Sequence, residues 1–492
     1  MLIMFVMKGM RVLVKLLGAL LLMIVLSSCG RSAPIDSAYA SPRPPFGEAT
    51  PEPAAAPSPE LALVPTPDAT PYPTPQPQVR LIPYEPKYIP LLPRWVEGEP
   101  LTIEHFLCDF DYLMHTLRLN FPLFGPAYRR FGIDINRLAE RAREAIIENN
   151  VACPHAFSDI LATYFFRRIG GFGHLYQHWE ARLHLVLANI YRYGMDAYGN
   201  FTHAYSQRIY EVMRAPAAIR FYGYINVELG EYEAGMIDPH NITTSILVPG
   251  EVAYVNVRGF NLYNLDHDQE IIFAFYEEIT GFDHLIIDLR QNPGGFAEYF
   301  SELFVFPNLT SRLEGRFYEF FSAGHNNRIY ADALVSDYLA ADQSILTFHY
   351  NAPEFIAENN MPYFNEEDLA FLHNAIAWNI QIDPIVTERA FDGRIWVLIG
   401  PNSQSGAEVA AIFIKETGFA TLVGEPTAGI MGAISAYKLL PNSGILVRYD
   451  LGYMTDSYGR SFEEFGVQPH YFNLPGMNAR ETVLELIQSP TH

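Results

Sequence analysis

Three short segments hold residues whose types and spacing suit acyl transfer. In Ile395-Trp-Val-Leu-Ile-Gly-Pro-Asn-Ser-Gln-Ser-Gly-Ala-Glu-Val-Ala-Ala-Ile-Phe413 an apolar run ends near Gly400 and a helical pattern begins around Gly406. Ser405 therefore falls at a strand-to-helix turn, where unbonded amides and the positive end of the helix dipole favour developing negative charge. Gly406 lets a substrate approach the backbone, and its N–H is placed to donate to an oxyanion. Serine is also a common helix N-cap, the plain alternative for Ser403 or Ser405. The second segment, Leu285-Ile-Ile-Asp-Leu-Arg-Gln-Asn-Pro-Gly-Gly295, is another buried strand entering a glycine turn. Gly294 and Gly295 offer backbone amides for the other half of an oxyanion hole, while Asp288 and Arg290 brace the turn. The third, Gly170-Gly-Phe-Gly-His174, presents an imidazole between flexible backbone neighbours, suited to general-base work near neutral pH.

These residues need two kinds of scaffold. Residues 101 to about 215 read as helical: apolar positions recur every three or four residues from Ile103, from Ile135 to Asn149 and from Ala156 to Arg168. From about Ala217 short β-branched and aromatic runs take over, at 246–248, 252–257, 284–289 and 394–400. Helical stretches alternate with them at Asp268–Thr280, Ala297–Phe304 and Ala407–Thr417, the pattern of an α/β domain with a buried sheet. Residues 306–392 read as a less regular insertion between two such strands.

Taken together, the motifs resemble those of the S41 peptidases, the family of tail-specific C-terminal processing proteases and the tricorn core protease. The likeness spans roughly residues 100–475: Asp288-Leu-Arg-Gln-Asn-Pro-Gly-Gly295, Ser403-Gln-Ser-Gly-Ala-Glu408, Gly424-Glu-Pro-Thr-Ala-Gly429 and Glu463-Glu-Phe-Gly-Val-Gln-Pro469 occur in family order. The resemblance implies a helical-bundle N-terminal domain (100–216) and an S41-type, ClpP/crotonase-like α/β catalytic domain (217–475), followed by a tail at 476–492. No clear PDZ domain lies between them. It also implies that Ser405 is the nucleophile. One branch activates its serine with a lysine just after the Gly-Glu-x-Thr-x-Gly turn; here Ile430 stands there, and no lysine occurs between Lys415 and Lys438. The tricorn-like branch uses a histidine and a glutamate, which match His174 and Glu463, with Glu464 as a neighbouring competitor. By that match Ser405 attacks, His174 takes its proton and Glu463 orients the imidazolium.

The N-terminus reads as an export signal. Lys8, Arg11 and Lys15 precede the apolar run Leu16–Leu26 and then Ser27-Ser28-Cys29-Gly30, which resembles a bacterial lipobox. Residues 1–28 are then a lipoprotein signal peptide, Cys29 the lipidated first residue, and the rest extracytoplasmic on the cell membrane. An uncleaved anchor is the alternative. Residues 29–99 form a linker in which 14 of the chain's 36 prolines crowd between Pro34 and Pro77, an extended spacer without a core. Cys108 and Cys153 form a disulfide between helices or remain buried thiols; the spacing does not choose.

The rest of the composition excludes partners. The chain has 492 residues and a formal charge of −22, which becomes −25 once three positive and no acidic residues leave with the signal. So acidic a chain is a poor match for nucleic acid. No phosphate-binding glycine loop, HExxH or Cys/His cluster appears, so neither cofactor nor metal is implied. The expected substrate is a peptide or unfolded protein cleaved by a membrane-tethered serine endopeptidase. The alternative is an inactive S41-like surface lipoprotein that binds peptides, and a cell-envelope scaffold is compatible with either.

Overall fold

The computed structural model describes residues 96, 99–195, 201–227, 237–341, 346–431 and 434–488. The signal segment, Cys29 and the proline tract lie outside these residues. The described chain is mixed α/β with a helical N-terminal part, as its periodicities imply. Helix Ile103–Asn120 buries Phe106, Phe110, Leu113, Met114 and Leu117, the three- and four-residue spacing of one face. Helix Ile135–Glu148 starts on Asp134, whose side chain accepts the Arg137 N–H. The pattern expected over 156–168 is broken: helix Pro154–Leu161 passes into a π turn at Ala162–Phe166 before a last turn ending at Gly170. The left-handed Gly170 (φ +68°) stops it and opens the loop to His174.

The main sheet has six strands in the order β13-β9-β8-β4-β3-β2: β2 Ile242–Val248, β3 Val252–Val257, β4 His284–Asp288, β8 Arg394–Ile399, β9 Thr421–Gly424 and β13 Tyr471–Phe472. All its neighbours are parallel except β2 and β3. Both faces of β4 and β8 are covered, so these strands are continuous apolar runs. One face packs into a core that runs without a break into the helical part, so His174 and Ser405 hang on one body. The other face, with Ile286, Trp396, Leu398 and Val423, is covered by helix Ala479–Gln488. Within the segment expected as a tail, this helix covers the sheet through Ala479 and Val483 on one apolar stripe.

A three-stranded sheet joins the halves: β1 (Tyr176–Gln177) pairs with β11 (Leu446–Asp450), which pairs with β10 (Ser435–Leu439). The insertion is more regular than its sequence suggests. Its β5 (Leu313–Ser322), β6 (Leu346–His349) and β7 (Leu372–Ile382) form an antiparallel sheet completed by β12 (Gly452–Thr455). Strand β5 alternates in burial only as far as Arg316 and is buried on both faces beyond it, which hides the two-residue period. Cys108 and Cys153 are not joined by a disulfide: the first is buried in helix Ile103–Asn120 and the second is exposed at the start of the next-but-two helix.

Strand β5 carries a fully buried acid, Glu319, whose Oε2 accepts the Trp378 indole N–H at 3.0 Å. Burial pushes its carboxyl up to about 8, and nearby Asp450 adds to the rise. An unfolded glutamate releases its proton near 4.5, so the folded state's proton advantage is complete below that pH and is lost between 4.5 and 8. Glu319→Gln is therefore expected to match the parent's melting temperature near pH 4 and exceed it at pH 8. A constant offset across that range contradicts the assignment.

Candidate active site

Ser405 sits between β8 and helix Gly406–Thr417 with φ +50° and ψ −118°, a backbone conformation that costs a non-glycine residue about 1–3 kcal/mol. Its side chain makes no capping bond, so the plain N-cap role falls away. Ser403 is the structural serine: its hydroxyl donates to Leu289 O at 2.8 Å and accepts the Gly400 N–H at 3.1 Å, stapling the turn to the end of β4.

The strain at Ser405 is held from several sides. Its N–H donates to Ile430 O at 2.9 Å, and its own carbonyl accepts Glu408 N–H and Val409 N–H in the first turn of the helix. Fully buried Glu408 reaches back from that turn to accept the Gly429 and Ile430 amides at 2.5 and 2.7 Å. Burial raises the Glu408 carboxyl, while Thr427, these amides and Arg130 oppose the rise. Arg130, from helix Phe124–Phe131, donates to Glu463 O and Thr427 O, both at 2.9 Å. The turn Gly424–Gly429 is thus a brace for Ile430 and through it for Ser405.

Across the turn, a Cβ on Gly294 would stand 2.6 Å from Gly406 N and 2.8 Å from Ser405 Cβ, and a Cβ on Gly406 would overlap Gly295 O. Only glycine permits this approach. The Gly294 amide, expected as an oxyanion donor, instead donates to Asn292 Oδ1 at 2.8 Å, because the tight turn folds that side chain back over it. Among the described residues no acceptor engages the Gly295 or Gly406 amide. These two are the donors left beside Ser405.

His174 also has a positive φ (+44°), after Gly171 (+80°) and Gly173 (+59°). A Cβ at Gly173 would press on the Phe121 ring at 2.6 Å, so the loop takes glycine there. The ring is placed by register. Tyr176 pairs with Arg448 and Gln177 with Val447, so two residues further back His174 stands opposite Asp450. There Nδ1 meets Asp450 Oδ2 at 2.7 Å, both side chains 1% exposed. The other carboxylate oxygen accepts the Ser435 hydroxyl at 2.6 Å. A carboxylate on Nδ1 fixes the proton there and leaves Nε2 as the basic nitrogen.

The structure places Asp450, and not the expected Glu463, beside His174. Glu463 is buried, but its carboxyl accepts the Met454 N–H and the Ser461 hydroxyl, each at 3.1 Å, and burial holds it well above the usual carboxylate range. Glu464 pairs with Arg129 at 2.8 Å. Neither meets His174, because the helical turn Phe462–Phe465 packs behind β12 while Asp450 ends β11 directly across from the histidine. Asp450 carries no local motif; an aspartate closing an apolar strand is unremarkable until the β1–β11 register is known.

The only lysines among the described residues are Lys415 and Lys438. Lys415 Nζ lies 3.5 Å from Pro469 O, and Lys438 Nζ lies 3.3 Å from Asn326 Oδ1 and over the Tyr112 ring. Neither amine is bonded to Ser405. No hydrogen bond joins Ser405 Oγ to the His174 ring either. The two are linked through the segment after Gly429: Ile430 O holds Ser405 at one end, and Ser435 holds Asp450 at the other. Such contacts often close only around substrate.

Residues 251–472 match the model of peptidase family S41. The likeness to this family is carried by that segment. Among curated proteins none matches the chain. Three solved structures are similar in outline. A protein from Parabacteroides merdae, described as a peptidase, has 15% identity and a TM-score of 0.44 over 79% of this chain and 98% of its own. A lipoprotein from Streptococcus agalactiae has 9% identity and a TM-score of 0.38 over 80% and 99%. Mature CPAF complexed with lactacystin has 14% identity and a TM-score of 0.43 over 78% and 97%.

The geometry separates the carboxylates by experiment. Asp450→Asn is expected to lower kcat by about 10³–10⁴-fold, because the amide supports the wrong tautomer of His174. Glu463→Gln keeps most activity. Equal losses in the two variants, or a loss confined to Glu463→Gln, would restore the glutamate to the site.

Proposed function

We propose that this chain is an extracytoplasmic, membrane-tethered serine endopeptidase acting on peptides or unfolded proteins. The observation that carries the reading is the strained Ser405 at a helix N-terminus beside the Gly295 and Gly406 amides, with a buried His174–Asp450 pair from the adjoining sheet. Ser405 Oγ attacks the scissile carbonyl carbon while His174 Nε2 takes its proton. The carbonyl oxygen becomes an oxyanion between the Gly295 and Gly406 amides, and the helix dipole adds to its stabilisation. Asp450 holds the imidazolium. His174 then gives the proton to the leaving amine, and water repeats the cycle in reverse to free the acid from Ser405. Isoleucine at 430 has no proton to exchange, so base catalysis falls to the histidine.

The tether belongs to the same proposal: Cys29 carries the lipid, and the proline-rich linker holds the body off the membrane. A single acyl chain anchors weakly, so the diacyl-type modification of a lipobox cysteine is the form that fits.

A fluorophosphonate probe is expected to label the parent at Ser405, with Ser405→Ala and His174→Ala each abolishing both labelling and peptide hydrolysis. Labelling that survives either change reassigns the roles. Peptide binding without hydrolysis across a diverse library favours the inactive binding lipoprotein. Cys29→Ala is expected to move the protein from the detergent phase to the aqueous phase in a detergent-partition assay of the producing cells. Unchanged partition would remove the lipid from the account.

A further inference from the structure

The hydrogen bonds behind the oxyanion turn converge on one buried carboxylate that no part of the mechanism uses. Asp268, in helix Leu265–Glu278, is fully buried. Its Oδ2 accepts from the Tyr299 hydroxyl at 2.5 Å and from the Asn241 side-chain amide at 2.7 Å. The same amide lies 3.0 Å from the Tyr299 hydroxyl and donates to Gly259 O at 3.0 Å. Asn241 O accepts the Arg258 N–H at 2.9 Å, so this residue grips the chain on both sides of Arg258 as it leaves β3.

That gripped segment is the wall of the oxyanion turn. Phe260 N–H donates to Gly294 O at 2.8 Å, and Phe260 O accepts the Phe296 N–H at 2.7 Å, so its backbone clasps Gly295 from both sides. A Cβ at Gly295 would overlap the Phe260 carbonyl. The Phe260 ring also stacks on Tyr299, with centroids 5.6 Å apart and planes at 21°. Tyr299 lies in helix Ala297–Phe300, which follows the turn directly. One carboxylate therefore ties the chain entering the clasp, through Asn241, to the helix leaving the turn, through Tyr299.

Burial costs this carboxylate free energy, and the donors of Tyr299 and Asn241 oppose that cost. A buried carboxylate that accepts these bonds fixes the orientation of the groups that donate to it, which apolar packing would not do.

We propose that Asp268 is a positioning residue for the oxyanion hole, holding the Gly295 amide in line with the Gly406 amide through Asn241, Tyr299 and the Phe260 clasp. The proposal rests on Ser405 being the nucleophile. It differs from a packing role in which state it acts on: the amide matters when the carbonyl oxygen carries charge, not while the peptide merely binds.

The test compares Asp268→Asn and Tyr299→Phe with the parent. Each variant is expected to lose about ten- to hundredfold in kcat, the effect of a small misplacement at a reacting centre, with KM within about twofold. A peptide aldehyde, which forms a tetrahedral adduct on serine, is expected to bind more weakly by the same factor as kcat. Binding of an uncleaved peptide to the same variants carrying Ser405→Ala stays unchanged. Should Asp268→Asn not fold, Tyr299→Phe carries the test, because it removes one hydroxyl and keeps the ring. Unchanged kcat in Tyr299→Phe, or equal weakening of aldehyde and uncleaved peptide, overturns the proposal. A parent that is not phosphonylated at Ser405 overturns the nucleophile reading instead, and this proposal with it.

Discussion

Everything at the site depends on a two-residue strand. Strand β1 is the shortest piece of regular structure needed to fix a register, and its two pairs with β11 leave His174 opposite Asp450. A slip of one residue would turn the histidine to the other face of the sheet and leave a buried carboxylate without its partner. The constraint is therefore severe for so small an element, and the neighbouring structure supports it. Gly171 and Gly173 adopt the left-handed backbone that brings the chain round, Phe121 closes over Gly173, and the Ser435 hydroxyl fixes the second oxygen of Asp450.

The proposed nucleophile is governed by a different physics. Ser405 is held in a backbone conformation it would not choose, and the structure around it over-determines that conformation. Glu408, one turn into the helix, holds the amides of Gly429 and Ile430; Ile430 holds Ser405; Arg130 ties the same turn to helix Phe124–Phe131. Arg129, on the same helix, meets Asp368 from the insertion and Glu464 from the C-terminal motif. The two arginines thus join the helical part, the insertion and the turn that braces Ser405. These ion pairs and the shared core tie the elements carrying His174 and Ser405 into one body.

What the sequence made legible follows from how local each feature is. Ser405, Gly406 and the glycines around His174 stand out because a strand, a turn and a helix N-terminus are written within a dozen residues. The choice of Asp450 over Glu463 was not legible, since it depends on strands 270 residues apart coming into register. Gly294 and Gly295 look equivalent in sequence, and only the fold-back of Asn292 tells them apart. The insertion's sheet was hidden because half of β5 is buried on both faces, and because its partner β12 arrives from the far end of the chain. The cysteines could not be judged without knowing that Cys108 faces inward and Cys153 outward.

The central claim is that one site is assembled from His174, Asp450 and Ser405 on a single packed body. A crystal structure of the protein with a peptide aldehyde on its serine tests it most directly. The account predicts the adduct on Ser405, its oxygen on the Gly295 and Gly406 amides, and His174 Nε2 within about 2.6–3.2 Å of the serine oxygen, still bonded through Nδ1 to Asp450. An adduct on another residue, or a His174 ring that stays out of reach of the bound serine, would contradict it.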